Sequence, residues 1–340
     1  MGRNRPDVGA RMAPFPPAMP PTLPPDLPSP TDASIAPACA PSPLALRRQR
    51  ARLAGLPAAP WLHREVAARL AAKLEPIRLE PKSWIDWSAF LGDGADLVAA
   101  RYPQARRWVV EPDAALAARS LEARAASQSG GWLARLTRGR PQVFTEPVPI
   151  ASAPWFPDGA QMLWANMTLH GAADLPAMMG AWHKHLAVGG FLMCSGLGPD
   201  TARELRALYR EAGWPLPTVD FIDMHDLGDE LVRAGFADPV MDMERITLTW
   251  ATPQAMLDEL RSWGGNVAQG RFSGLRTRAW RQGLLDLIAR QLTRQDGRIG
   301  LTVEVVYGHA MKPEPRLALA PETRVSLDDM RRMVRKKGHP

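Results

Sequence analysis

The stretch SWIDWSAFLGDGADLVAARYPQARRWVVE, running from Ser83 to Glu111, decides the fold. Ser83–Trp87 reads as a short strand, residues 93–102 as a helix, and Arg107–Val110 as a second strand closed by Glu111. A strand, a helix and a strand in close succession form a β-α-β unit with parallel strands. In open parallel sheets, ligands bind beyond the carboxyl ends of the strands, where the strand order reverses. Two acids fall there, Asp86 at the end of the first strand and Glu111 at the end of the second. An acid after the second strand suits a ribose diol, because two hydroxyl donors need an acceptor-only group. A solvated strand end is the competing reading. In the intervening loop, Gly92 and Gly94 leave the backbone bare for a ligand, whereas Phe90 puts bulk into the turn.

Outward from this unit the alternation continues. Residues 61–74 carry apolar side chains at helical spacing, Gln142–Thr145 and Gln161–Ala165 read as strands, and Asp174–Val188 reads as a helix. Gly189 and Gly190 then turn the chain into a buried strand, Phe191–Ser195. Thr201 and Glu204 have capping-box spacing. A helix over Asp226–Ala234 is closed by Gly235, and Arg245–Trp250 alternates as a strand with one wet face. Helices over 253–263 and 277–294 precede a last strand, Leu301–Tyr307. The pattern predicts an α/β fold: a mostly parallel, doubly wound sheet with helices on both faces and a late antiparallel pair at one edge.

Composition narrows the function classes. Thirteen of the 34 prolines lie in the first 45 residues, so residues 1–45 read as a disordered Pro-rich arm. The roughly 295 residues that remain are ample for a sizeable core. No apolar run approaches the ~18 residues of a transmembrane helix, and no membrane partner is expected. Two cysteines, Cys39 and Cys194, make neither a disulfide framework nor a zinc site, which points to a reducing, cytoplasmic compartment. His183 and His185 stand two apart on one helix and face different ways, so no metal site is expected. The net charge of +7 is spread along helical stretches, and its one dense run, Arg331–Lys337, reads as a basic tail within 314–340. A nucleic-acid surface would interleave basic and exposed aromatic residues, but the tryptophans sit mostly in apolar stretches. A nicotinamide dehydrogenase would carry G-x-G-x-x-G after the first strand, and it is absent.

Several ordered segments carry a resemblance. They are Arg101-Tyr-Pro103, Trp164-Ala-Asn-Met-Thr-Leu169, Val188-Gly-Gly190, Gly198-Pro-Asp-Thr201, Phe221–Gly228, Ala234-Gly-Phe236 and Glu304–His309. Across residues 46–313 the chain resembles the malonyl-carrier-protein O-methyltransferases of biotin synthesis, which are class I S-adenosylmethionine-dependent enzymes. The resemblance implies a Rossmann-like, seven-stranded sheet with a helical roof, over 196–297, above the substrate pocket. It implies S-adenosylmethionine as cofactor, malonyl-acyl carrier protein as partner, and methyl transfer to the free malonyl carboxylate.

Residue by residue, the family's loop acid falls on Asp86 and its third glycine on Gly92, while its first two glycines are Ser88 and Phe90. Gly94 follows in the same loop, and the ribose acid corresponds to Glu111. Asn166 falls where relatives line the cofactor pocket, and His170 takes the place of a glutamine near the methyl donor. Arg233 and Arg245 are the candidates for the malonyl carboxylate, with His225 bracing the pocket wall. Gly171 replaces the family's tryptophan, and Leu56-Pro57 its Tyr-Asp lid pair. The alternative is a family member that kept the fold and lost the cofactor, acting as a scaffold or regulatory partner. Phe90, Gly171 and Leu56 carry it.

Overall fold

The computed structural model describes residues 40–127 and 142–315. Most of the Pro-rich arm and the basic run Arg331–Lys337 lie outside the described residues. The chain opens with α1 (Pro43–Ala54) and α2 (Trp61–Ala72), then β1 (Ser83–Trp87), a one-turn α3 (Ala89–Gly92), α4 (Ala95–Arg101) and β2 (Arg106–Glu111). Next come α5 (Ala114–Ser127), β3 (Val143–Thr145), β4 (Ala160–Ala165), α6 (Leu175–His185) and β5 (Leu186–Leu197). The last part holds α7 (Arg203–Glu211), α8 (Met224–Arg233), β6 (Ala237–Trp250), α9 (Pro253–Ser262), α10 (Arg278–Gln291) and β7 (Ile299–Met311).

The strands form one seven-stranded sheet in the order β3-β2-β1-β4-β5-β7-β6. The first five are parallel, and β7 runs antiparallel between β5 and β6. This is the strand order of class I methyltransferases. The order reverses between β1 and β4, which sets the switch point there. Alternation along each strand builds a core on each face. Met162 and Trp164 of β4 join Trp84, Phe191, Val303 and Val305 on one side; Leu163 and Ala165 join Ile85, Leu192 and Val306 on the other. A third cluster, Leu205, Leu208, Met256, Leu284 and Ile288, welds α7, α9 and α10 into a helical roof. Among the described residues, no helix is long and apolar enough to cross a membrane.

Four local readings give way to tertiary contacts. The end of the Pro-rich arm is part of the fold: Pro41 pairs with Ala268, and α1 begins at Pro43 with Ser42 as its cap. The capping box does not form. Thr201 Oγ1 instead donates to the Glu304 carbonyl (3.0 Å), Glu204 accepts from the Thr302 amide (3.0 Å), and the cap position is Ala202. An antiparallel neighbour thus takes the side chains that a free helix would use. The Gly189-Gly190 pair lies inside β5 as an irregularity in the β4 pairing, bonded to Lys312, and α6 accordingly ends at His185. Finally, β6 starts eight residues before the alternating stretch, because pairing with β7 holds Asp242 and Glu244 in strand geometry, while Asp238 sits in a register shift at φ +49°.

Gly94 shows how tightly the loop is seated. A Cβ built there would lie 2.9 Å from Nε1 of the fully buried Trp164 indole, a rigid ring with no room to give. Gly94→Ala is expected to destabilise the protein by ~1–3 kcal/mol, read as a lowered midpoint in urea unfolding.

Candidate active site

Two adjoining cavities sit at the carboxyl edge of the sheet. The larger has a volume of about 490 Å³, with Trp87 ending β1, Ser88 after it, Pro112 after β2, Glu146 after β3 and Thr168 after β4 on its wall. The smaller, about 120 Å³, lies toward the roof and is lined by Leu62, Leu197, Leu205, Val219 and Phe221. His63, Met167 and His170 line both, so the cavities share a wall.

Asn166, at the end of β4, positions that wall from behind. Its amide donates to the carbonyls of His63 (2.8 Å) and Gly92 (2.6 Å), and its oxygen accepts from Ser195 Oγ (2.7 Å). Ser195 Oγ in turn accepts the Met167 amide at 2.9 Å. Met167 is held at φ +54°, a left-handed conformation uncommon outside glycine. Asn166 is therefore a buried tie between α2, α3, β4 and β5, and it does not line either cavity.

The loop after β1 keeps a glycine-like path with other side chains. Ser88 sits at φ +59°, ψ +48°, and the next residues coil into α3. That turn points Phe90 away from both cavities and stacks its ring 4.9 Å from the Arg119 guanidinium of α5. Arg119 also donates to the carbonyls of Leu56 (2.9 Å) and Pro57 (3.1 Å). The departures at 56, 57 and 90 thus meet on one arginine.

The acids and glycines that the sequence singles out form the layer beneath the larger cavity. Asp86 is buried and ion-paired with Arg107 (2.6 Å). Gly92 packs against Asn166, and Gly94 against Trp164. Glu111 is fully buried: one carboxyl oxygen accepts the Phe90 amide (2.7 Å) and Ser120 Oγ (2.5 Å), while Oε2 has no hydrogen-bond partner among the described residues. Asp86, Gly92, Gly94 and Glu111 therefore do not reach the cavity wall, because backbone and side chains of the loop cap them first. Burial pushes the Glu111 carboxyl up to about 7.

The substrate candidates are also placed elsewhere. Arg233 is exposed in the last turn of α8 and paired with Glu230 (2.5 Å). Arg245 is spent on Asp200 (2.7 Å) and Glu304 (2.9 Å) across the β6–β7 pair. His225 is exposed in the first turn of α8, bonded to the cap residue Asp223 (2.7 Å). His170, by contrast, stands on the shared wall, and its buried Nδ1 has no partner among the described residues. Burial and the neighbouring His63 push its pKa down to about 3. His63 donates from Nδ1 to the Leu91 carbonyl (2.8 Å), and burial lowers it to about 4.

Three cavity residues were not legible beforehand: Arg50, His63 and Glu146. Arg50, on α1, is the one arginine or lysine among the described residues lining either cavity, and it donates to the Gly171 carbonyl at 3.1 Å. The helical spacing of α1 was the available signal, obscured by the prolines before it. Glu146 follows the short β3 and keeps its carboxyl on the cavity wall, where burial raises its pKa.

The Glu111 assignment has a pH-dependent consequence. An unfolded glutamate ionises near 4.5, while the folded one holds its proton to about 7. Stability therefore falls as pH rises across that window and levels off above it. Glu111→Gln is expected to raise stability by ~3 kcal/mol at pH 8 and to change it little at pH 4, checked by thermal unfolding at both values.

Comparison with known proteins follows the same lines. No family model matches the chain. It is 40% identical over 279 residues to the malonyl-[acyl-carrier protein] O-methyltransferase of Laribacter hongkongensis, an alignment covering 80% of this chain and 88% of the relative. The protein of the same name from Gallionella capsiferriformans is 37% identical, with 80% and 92% covered, and that of a Methylovorus species 35%, with 81% and 90%. Among solved structures, the YcgJ protein of Bacillus subtilis has a TM-score of 0.48 at 11% identity, covering 74% of this chain and 100% of its own. Identity of this order across nearly the whole length of such relatives leaves one assignment: the chain belongs to the malonyl-[acyl-carrier protein] O-methyltransferase family.

Proposed function

We propose that this chain transfers a methyl group from S-adenosylmethionine to the free carboxylate of a malonyl thioester held on an acyl carrier protein. The observation that carries the reading is the shared wall of His63, Met167 and His170 between a cavity of nucleoside size and a smaller apolar one. The larger cavity fits the cofactor: it lies at the switch point, its floor is a bare left-handed turn at Ser88, and the unpartnered Nδ1 of His170 is buried in its wall. Trp87, Ser88, Leu91 and Glu146 would hold the group there. When bound, S-adenosylmethionine supplies an electrophilic methyl on a sulfonium.

A carboxylate is already a competent nucleophile, so the protein has to desolvate and align it rather than take a proton from it. The apolar wall of Leu62, Leu197, Val219 and Phe221 excludes water from the smaller cavity. Arg50 lines the larger cavity and is bonded to the residue after His170, so from the cofactor side of the shared wall it is the cation at hand for the malonyl carboxylate, in place of Arg233 and Arg245. His170 is neutral throughout the physiological range and acts as a positioning group, offering a hydrogen bond beside the shared wall. The convergence of three departures on Arg119 supports a rebuilt cradle over a vestigial one. The two-cysteine composition and the buried free thiol of Cys194 support a reducing, cytoplasmic setting.

Calorimetric titration with S-adenosylhomocysteine is expected to give micromolar binding, and mass spectrometry to show one added methyl on malonyl-carrier protein. No heat from a folded protein would sink the reading. Arg50→Ala should raise KM for the malonyl thioester by ~10-fold or more, a larger effect than its weakening of S-adenosylhomocysteine binding. Because burial lowers all three cavity histidines, His63, His170 and His185, kcat should show no inflection near 6.5; one there would contradict their placement.

A further inference from the structure

Two stretches of the sequence are rich in arginine and free of carboxylates, residues 33–64 and 260–285. The fold joins them. The Ser42 amide donates to the Val267 carbonyl and the Gln269 amide to that of Ala40, both at 2.8 Å. Arg52 reaches the Gly264 carbonyl at 2.6 Å. Ala45 and Leu46 of α1 are buried against Val219, Val267 and Ala268. Since Val219 and Val267 also line the smaller cavity, the joined surface borders it. Arg271 follows Val267 by four residues, a reach of at most ~14 Å along the chain.

Five arginines on this surface are not neutralised, whereas Arg64 and Arg261 of the same stretches pair with Asp96 and Asp258. Among the described residues Arg47, Arg48, Arg271, Arg276 and Arg278 make no ion pair, whereas Arg64, Arg69, Arg203, Arg233 and Arg245 all do. Arg276 is instead held over the rings of Phe272 (3.7 Å) and Trp280 (4.3 Å), which fixes its charge in place. Beside it Leu275 is 98% exposed. A solvated face mixes both signs of charge and seldom presents a large apolar side chain at its centre. Unpaired cations and an exposed leucine on one joined surface match an acidic helical partner with an apolar residue among its carboxylates.

We propose that this surface, from the start of α1 to the start of α10, docks the acidic carrier protein so that its thioester arm enters the smaller cavity. The inference rests on the methyltransferase reading for its substrate, but docking can be measured without turnover. Fluorescence anisotropy of labelled holo-carrier protein would be followed on the full chain and on two charge reversals, R47E/R48E and R276E/R278E. Each is expected to weaken binding by ~10-fold or more, and wild-type affinity to fall as salt rises. KM for malonyl-coenzyme A and the unfolding temperature should stay near wild type, which excludes misfolding. Unchanged carrier-protein affinity in both reversals would overturn the proposal, and so would an equal loss in K184E, an exposed lysine on α6. If the reversals abolish docking while no variant, nor the wild type, methylates any malonyl thioester, the docking surface stands and the methyltransferase reading falls.

Discussion

The side-chain amide of Asn166 is the constraint on which the site depends. At the end of the central strand it satisfies two carbonyls from two different helices and takes a hydroxyl from the neighbouring strand. All of these groups are buried, so the low dielectric that makes each bond strong would also make each loss costly. Through the His63 carbonyl the amide sets α2, and with it Leu62 and His63 on the cavity walls; through Gly92 it sets α3 and Leu91. Two cavities formed by elements distant in sequence are thus referred to a single planar group.

The same economy governs the loop after β1. A cofactor loop built on glycines keeps its path clear by having no side chains. This chain keeps the path by giving Ser88 the left-handed conformation and turning the following residues into a helical coil, so that the bulk of Phe90 leaves on the far side. Arg119 then closes the arrangement by holding that ring and the Leu56-Pro57 backbone together. Departures that look independent in the sequence are one rearrangement in space. Glu111 is drawn into it as well, its carboxyl serving the Phe90 amide rather than open space.

Strand positions were legible to within a residue or two in β1, β2 and β4, whereas β5 and β7 run four or five residues beyond their readings at one end, where they pair with each other and their neighbours. Edge strand β6 was only half legible: its first half holds a register shift at Asp238, and the strand geometry of Asp242 comes from β7 and not from its own preference. Helix α1 was obscured for the opposite reason, since its stability comes from burying Ala45 and Leu46 against residues more than 170 positions away. In the site, residue type was readable but burial was not. Asp86, Glu111 and Asn166 have the chemistry of ligand-binding groups, yet each is consumed by a protein partner. Arg233 and Arg245 were free arginines in the sequence and are ion-paired in the fold. The position of His170 was carried by the resemblance, and its place on the shared wall follows from the 3₁₀ turn after β4.

Three of the five non-glycine residues at positive φ among those described, Ser88, Met167 and Ala202, border the two cavities. Each gives up on the order of 1 kcal/mol against glycine in the same conformation. The molecule therefore keeps most of its local discomfort where its cavities are shaped. Drift toward greater robustness would begin at these residues, so resilience and the shape of the binding chambers draw on the same few backbone angles.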